Sequence, residues 1–253
     1  LRQLNQPVDN FVLIQPLNTA LTSHDLWMIH PAVVGCEIYS DLARALTGHF
    51  NAIGVNNYNL FNHPHISALP ALASYYLQHI WNYGLPRHKT VRLLGWSLGG
   101  IIALEIAAQL EQRGFKDIHV CLLDSLYQTR IQQHIVPGML APILAMMGIS
   151  GEAARRGQLV EQTEIAINNQ CLSAPLRHSK VTLFKATEFV DLSVAGGIDG
   201  REILAIADNG LAQACPQLEI IPLAANHHSI ILCHQEITEA LTQQQYDTRR
   251  RVF

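Results

Sequence analysis

The sequence has few charges and no long apolar run. Charged residues make up 15% of the 253 positions, and the formal net charge is −3. The chain therefore lacks the basic surplus that is typical of nucleic-acid-binding domains and of proteins held on anionic membranes. No apolar run reaches the length of about 18–20 residues that a membrane-spanning helix needs, and no segment has the pattern of a secretory signal. We expect a folded cytoplasmic protein without a nucleic-acid or membrane partner.

Cysteine is scarce as well, and no C-x-x-C pair occurs. The cysteines are Cys36, Cys121, Cys171, Cys215 and Cys233. An odd set of this kind is typical of reduced cysteines in a cytosolic protein rather than of a disulfide framework. The first residue is Leu1 rather than methionine, so we expect a domain cut from a longer polypeptide, with cleavage of a leader as the alternative.

Apolar runs rich in β-branched residues alternate with helical patterns along the chain. The predicted strands are Phe11–Leu17, Leu26–His30, Phe50–Asn56, Val91–Trp96, Ile118–Leu123, Val181–Ala186 and Leu218–Leu223. The predicted helices are Cys36–Leu46, Ser67–Tyr83 with Ser67 as its N-cap, Leu98–Gln112, Ile203–Ala214 and Gln235–Gln243. The alternation predicts an α/β fold, with a mostly parallel central sheet and helices on both faces, in one domain over residues 1–253.

The interval from Ser125 to Ser179 breaks this alternation. It contains no convincing strand, and its two periodic stretches favour short amphipathic helices. Structureless loops of such length are rare in compact domains. We therefore expect a helical insertion that covers the sheet over residues 125–179.

The stretch GWSLG, at residues 95–99, fits the G-x-S-x-G pattern in the context that the pattern requires. An apolar strand precedes it and an alanine-rich helix follows it. In a nucleophile elbow the serine occupies a strained turn between strand and helix, and small residues are needed on either side. Ser97 is therefore the candidate nucleophile, and the N–H of Leu98 lies at a helix N-terminus, where negative charge is stabilised.

An activated serine needs a base and an orienting carboxylate, in the chain order serine, acid, histidine for this type of turn. Asp124 closes the next apolar strand and is the candidate acid; Asp191 and Asp199 are the later alternatives. His227 and His228 both follow the last predicted strand, and either could supply the base.

The oxyanion of a tetrahedral intermediate needs a second N–H donor. A loop after an early strand begins with the sequence HPAVVG. Because Pro31 has no N–H, the N–H of Ala32 is the candidate donor.

These stretches together resemble a thioesterase domain of the type that ends nonribosomal peptide synthetases, a branch of the α/β-hydrolase superfamily. The resemblance runs through HPAVVGCEIYSDLARAL, LLGWSLGGIIALEIAAQLEQRG, LLD and NHHSII. The histidine segment of the family has two variable residues and then two apolar ones after its catalytic histidine. That register selects His227, with Ile230 and Ile231 in the apolar places. Two departures affect glycines of the family, which are replaced by Val33–Val34 and by Ala225 here.

The resemblance implies a function for the whole domain. It implies that the substrate is a peptidyl or acyl chain, carried as a thioester on the phosphopantetheine arm of an upstream carrier domain of the same synthetase. The chain would be transferred to Ser97 and then released by hydrolysis or macrocyclisation. The triad would be Ser97, Asp124 and His227, the oxyanion hole Ala32 and Leu98, and the 125–179 insertion a lid. The resemblance implies no bound cofactor and no metal.

Other interpretations remain open from the sequence. A freestanding esterase or lipase of the same fold would share the triad, and a catalytically idle hydrolase-fold module would serve as an interaction domain. The His63–His65 pair has metal-ligand spacing but lacks a supporting carboxylate or cysteine cluster, and the glycine-rich stretch at residues 195–200 lacks a phosphate-binding lysine. We interpret both as loops.

Overall fold

The computed structural model describes residues 11–85, 90–189 and 200–250. Its strands are β1 (Ile14–Pro16), β2 (Asp25–Ile29), β3 (Asn51–Val55), β4 (Val91–Trp96), β5 (Ile118–Leu123), β6 (Lys180–Ala186) and β7 (Leu218–Leu223). Its α-helices are α1 (Ser40–Ala45), α2 (Tyr58–Phe61), α3 (Leu69–Gly84), α4 (Leu98–Gln112), α5 (Arg130–Gln133), α6 (Leu140–Met146), α7 (Gly151–Asn168), α8 (Gly200–Ala205) and α9 (His234–Arg250). Short 3₁₀ helices occupy Cys36–Tyr39 and Ile230–Leu232.

The seven strands form one sheet in the order β1-β3-β2-β4-β5-β6-β7. All neighbouring pairs are parallel except β1 and β3, which are antiparallel. Strands β4 and β5 lie in the middle and are buried at every position, as expected for a parallel sheet covered on both faces. The predicted α/β fold with a mostly parallel sheet is confirmed.

Two apolar clusters cover the two faces of the sheet. One gathers buried side chains of α3, α4 and the strands they cover. The other gathers buried side chains of α1, α9 and the opposite sheet face. Helix α4 is buried along most of its length, because it lies behind the central strands and is overlaid by α3. The central position of β4 and α4 gives the turn between them a rigid setting.

The 125–179 interval is helical, as predicted. It contains α5, α6 and α7, and no strand lies between β5 and β6. A third, smaller apolar cluster joins this insertion to the loop after β2. The insertion therefore packs against the sheet edge at which the predicted site residues lie.

The predicted helix Cys36–Leu46 is a 3₁₀ helix followed by α1, and the predicted helix Gln235–Gln243 extends to Arg250. Two other predicted helix boundaries are wrong for identifiable reasons. Ser67 is not the N-cap of α3; Ala68 holds that position, and the side chain of Gln170 accepts a hydrogen bond from the Leu69 N–H at 2.8 Å instead. The predicted helix Ile203–Ala214 ends at Ala205. The chain turns there because the Asp208 side chain accepts hydrogen bonds from the N–H groups of Gly210 and Ala212. Asn209 and Gly210 both have positive φ, as such turns require.

Across the described ranges, none of the helices combines the length and the apolar character that crossing a membrane requires.

Candidate active site

Ser97 lies between β4 and α4, in the turn that the G-x-S-x-G pattern predicts. Its backbone has φ 54° and ψ −123°, a left-handed value that is uncommon for a residue other than glycine. Such a conformation costs about 1–3 kcal/mol and persists only where the surroundings enforce it. Strand β4 and helix α4 enforce it here, and they hold the serine at the carboxyl edge of the sheet.

The glycines around Ser97 are required by close backbone packing. A Cβ atom at Gly95 would overlap the backbone of Gly99 and Gly100, and one at Gly99 would lie 2.6 Å from the carbonyl oxygen of His30. Real Cβ atoms do not approach other atoms so closely. The spacing of these glycines therefore reflects how tightly the turn folds back on its own helix and on the end of β2.

Asp124 and His227 meet although 103 residues separate them. Asp124 directly follows β5, and its Oδ2 lies 2.9 Å from the Nδ1 of His227. The aspartate side chain is 2% exposed, whereas the histidine side chain is 25% exposed. Because the buried carboxylate holds Nδ1, the Nε2 atom is the ring nitrogen that remains for proton transfer.

The Asp124 carboxylate is held by further donors that the sequence did not reveal. Its Oδ1 accepts hydrogen bonds from the Asn209 side chain at 3.0 Å and from the Ala186 N–H at 3.2 Å. Burial alone would raise the pKa of Asp124, but the hydrogen bond and charge of His227, with those two donors, lower it below its ordinary value. The group is therefore an anion at neutral pH. The Lys185 ammonium donates to Asn209 at 2.6 Å and extends this network.

The His227 loop is fixed to the nucleophile strand. The Asn226 side chain accepts the N–H groups of His228 and Ser229 in a tight turn. The indole N–H of Trp96, the residue before the serine, donates to the carbonyl oxygen of His227 at 2.9 Å. The histidine is therefore attached to the same strand end that carries Ser97.

His228 occupies a different setting from its neighbour. Both of its ring nitrogens are buried and have no hydrogen-bond partner among the described residues. Burial lowers the pKa of His228 to about 4, with a smaller contribution from His227. Its imidazole is therefore neutral at physiological pH, and neither of its ring nitrogens forms a hydrogen bond to the carboxylate of Asp124.

The two predicted oxyanion donors are Leu98, which directly follows the serine, and Ala32, which lines the same cavity as the serine. Leu98 is the first residue of α4, so its N–H has no acceptor within the helix. The Ala32 N–H, in the loop after β2, likewise has no acceptor among the residues that the structure describes. The next residue, Val33, has φ 57°, so this loop keeps a left-handed conformation although valine stands where the resembled family has glycine.

One cavity of about 130 Å³ opens beside Ser97. Ser97, His227, His228 and Asn168 are its polar lining residues. Much of the remaining wall is aliphatic and comes from the helical insertion, through Ile131, Ile135, Met139, Ile143, Leu144 and Met147. The site therefore joins a serine, a histidine and an apolar chamber.

The remaining sequence candidates do not enter this site. Asp191, Asp199 and most of the glycine-rich stretch at 195–200 lie outside the described residues. The His63 and His65 rings stack on each other with centroids 4.3 Å apart. Within the described part of the chain, no group of three or more His, Cys, Asp or Glu residues is arranged to hold a metal ion.

Comparison with protein families matches residues 24–140 to the thioesterase domain family. This segment contains β2 through β5, Ser97 and Asp124.

Two curated relatives are large biosynthetic polypeptides. The polyketide synthase PksR of Bacillus subtilis (strain 168) is 22% identical over 195 residues, which cover 77% of this chain and 7% of the relative. The N-(5-amino-5-carboxypentanoyl)-L-cysteinyl-D-valine synthase of Amycolatopsis lactamdurans is 34% identical over 106 residues, covering 42% of this chain and 3% of the relative. The chain thus spans less than a tenth of the length of either.

Solved structures share the fold over nearly the whole chain. The NocB thioesterase domain in covalent complex with a fluorophosphonate nocardicin G analog gives a TM-score of 0.64 at 20% identity, covering 88% of this chain and 94% of that one. The type II thioesterase BorB from the borrelidin biosynthetic cluster gives 0.68 at 13% identity, covering 94% and 99%. The chain is thus similar to the thioesterase domain family over residues 24–140, and it shares its α/β fold with solved thioesterase domains.

Proposed function

We propose that this domain releases an acyl or peptidyl chain from a carrier-bound thioester through an acyl-enzyme on Ser97. In this proposal His227 is the base and Asp124 orients it. The observation that carries the proposal is the 2.9 Å contact between His227 Nδ1 and Asp124, together with the presence of Ser97 and His227 in the wall of one cavity. A nucleophile, a base and an orienting acid are the parts that acyl transfer by a serine requires.

The chemistry follows from the free ring nitrogen of His227. Nε2 takes the proton from Ser97 Oγ as that oxygen attacks the thioester carbonyl. The oxyanion accepts hydrogen bonds from the N–H groups of Ala32 and Leu98. The tetrahedral intermediate collapses when the C–S bond breaks, and the departing thiolate takes the proton from His227. Water, or a hydroxyl or amine of the acyl chain itself, then attacks the ester in the reverse sequence and restores the serine.

The chamber beside Ser97 favours an apolar acyl group. Its insertion-derived wall is aliphatic, and a charged group placed there would lose its hydration without gaining an ion partner. Methionines at two wall positions, Met139 and Met147, adapt to chains of different shape because their side chains are unbranched and flexible. Exclusion of water by this wall would favour an intramolecular nucleophile over hydrolysis.

The donor of the thioester is proposed to be a carrier domain. The curated relatives are far longer than this chain, which supports a carrier on the same polypeptide. The phosphopantetheine arm is part of that substrate, so the proposal requires no bound cofactor. The 125–179 insertion would then act as the lid over the incoming acyl chain.

A test compares the wild type with Ser97→Ala. The substrates are octanoyl-pantetheine and, as a simple ester, p-nitrophenyl octanoate, and a fluorophosphonate probe reports the reactive serine. We expect the wild type to be labelled on Ser97 and to prefer the thioester, and Ser97→Ala to lose both labelling and turnover while keeping its thermal unfolding midpoint. Preference for the simple ester would indicate an esterase, and absence of labelling with intact folding would indicate an idle module; either result would refute the proposal.

A further inference from the structure

Helix α7 of the insertion packs directly on the oxyanion loop. Gly157, Val160 and Glu164 are spaced by three and four residues, so they lie on one face of the helix. A Cβ atom at Gly157 would lie 2.9 Å from the carbonyl oxygen of Val33. Val160 shares an apolar cluster with Val33 and Val34. The helix therefore contacts the loop at three successive positions.

Glu164 makes the polar contact of this face. Its side chain is buried, with 1% of the residue exposed. One carboxylate oxygen accepts the N–H of Val33, and the other accepts the side-chain amide of Asn57 at 2.7 Å. The same amide donates to the carbonyl oxygen of Val34 at 3.2 Å. A carboxylate 131 residues downstream thus holds the backbone just after Ala32.

This support matters because Val33 has an unfavourable backbone conformation. A φ of 57° is an outlier for a β-branched residue, and left to itself the loop would relax toward negative φ. The peptide unit that carries the Ala32 N–H is held on its other side, where Nδ1 of the buried His30 lies 2.7 Å from the carbonyl oxygen of Pro31. Both peptide units next to the Ala32 Cα are therefore fixed by buried side chains.

Building on the proposed function, we propose that Glu164 is a positioning residue that keeps the Ala32 N–H directed at the oxyanion, by accepting the Val33 N–H and holding that residue in its left-handed conformation. It does not contact the substrate. The insertion is accordingly part of the oxyanion machinery as well as a cover for the cavity. Displacement of α7 from the loop would release Val33 and turn the Ala32 N–H away from the reacting carbonyl.

The chain offers a matched control in Glu105. This buried glutamate of α4 also accepts one backbone N–H, from Ser173 at 2.8 Å, and one side-chain amide, from Gln109 at 2.9 Å, but it lies outside the cavity lining. Glu105→Ala therefore removes the same kind of contact at a distance from the site. Glu164→Gln keeps an acceptor for the Val33 N–H and serves as the conservative variant.

The experiment measures kcat and KM on octanoyl-pantetheine for Glu164→Ala, Glu164→Gln and Glu105→Ala, with octylboronic acid as a mimic of the tetrahedral intermediate. Removal of an oxyanion donor costs about 10²–10³ in rate, and a misdirected donor should cost roughly 10–100-fold. We expect Glu164→Ala to lose roughly that factor in kcat and in boronate affinity, with KM within about twofold. We expect Glu164→Gln to recover most of it and Glu105→Ala to keep kcat within about twofold, whatever its loss of stability.

The outcomes separate this inference from the proposed function. If Ser97→Ala retains turnover, the serine mechanism itself fails. If Ser97→Ala is inactive but Glu164→Ala has wild-type kcat and boronate affinity, only the role of Glu164 fails. It also fails if Glu105→Ala loses as much kcat as Glu164→Ala, or if Glu164→Gln recovers nothing.

Discussion

The replacement of Glu164 by glutamine should change how the stability of the protein depends on pH. Burial raises the pKa of Glu164 from 4.5 to about 7, although the hydrogen bonds from Val33 and Asn57 act to lower it. A folded-state pKa above the unfolded value means that the folded protein holds the proton more tightly. The stabilisation is therefore complete below about pH 4.5 and is lost as the pH rises through about 7.

The magnitude follows from the difference between the two pKa values. One pKa unit corresponds to about 1.4 kcal/mol, so the shift of Glu164 from 4.5 to about 7 corresponds to about 3 kcal/mol. The free energy of unfolding of the wild type, minus that of Glu164→Gln, should fall by about this amount between about pH 4.5 and about pH 8.5. Tyr76 is the neighbouring ionisable group whose pKa responds to Glu164, and burial raises that pKa well above this range.

Urea unfolding at several pH values measures this difference, because groups that are common to both proteins cancel. Glu111→Gln is the control with the opposite sign. Burial acts to raise the pKa of Glu111, but hydrogen bonds from Ser179, His178 and Arg177 outweigh it and lower the pKa. The stabilisation that the Glu111 carboxylate provides is complete above about pH 4.5. The difference in unfolding free energy between the wild type and Glu111→Gln should therefore be constant from about pH 5.5 to about pH 8.5. A flat or rising curve for Glu164→Gln would refute the reasoning.

Two further predictions concern the proposed triad. His227→Ala should lower kcat on an acyl thioester by about 10³-fold or more, because the base is lost, whereas His228→Ala should lower kcat by less than about tenfold. Steady-state kinetics of both variants measures this difference, and the reverse ranking would contradict the assignment of His227 as the base. Asn209→Gly removes a donor to Asp124 while a glycine suits the φ of 52° at that position. It should lower kcat by roughly tenfold and shift the acidic limb of the pH–rate profile upward, because the pKa of Asp124 rises; an unchanged profile would show that Asn209 does not support the acid.

The sequence predicted several elements of the fold well, because its local signals agreed with the final packing. Strands β4, β5 and β7 and helix α4 have the predicted bounds. Each is rich in apolar residues and is bounded by residues that favour turns. The prediction failed at Ile203–Ala214, where apolar spacing favoured a helix but the Asp-Asn-Gly turn at residues 208–210 ended it.

The candidate site was predictable where its residues stand at strand ends. Ser97, Asp124 and His227 were found from a turn motif, from chain order and from a family register. Glu164 and Asn209 were not found, because their contacts span 131 and 85 residues, and no local pattern fixes such pairings. One signal was available for Glu164, which lies between Val160 and Ile167 in an apolar stripe, where a solvated glutamate would be out of place.

Three residues of the site share left-handed backbone, namely Val33, Ser97 and Asp124, with φ of 57°, 54° and 46°. They follow β2, β4 and β5, which are adjacent in the sheet. The segment that matches the thioesterase family, residues 24–140, includes all three, yet it stops before α7, β6 and the His227 loop. An isolated piece of that length would carry Ser97 and Asp124, but it would lack Glu164, which holds the backbone of Val33, and His227, which contacts Asp124. The proposed site therefore needs the chain well beyond residue 140, at least as far as the His227 loop.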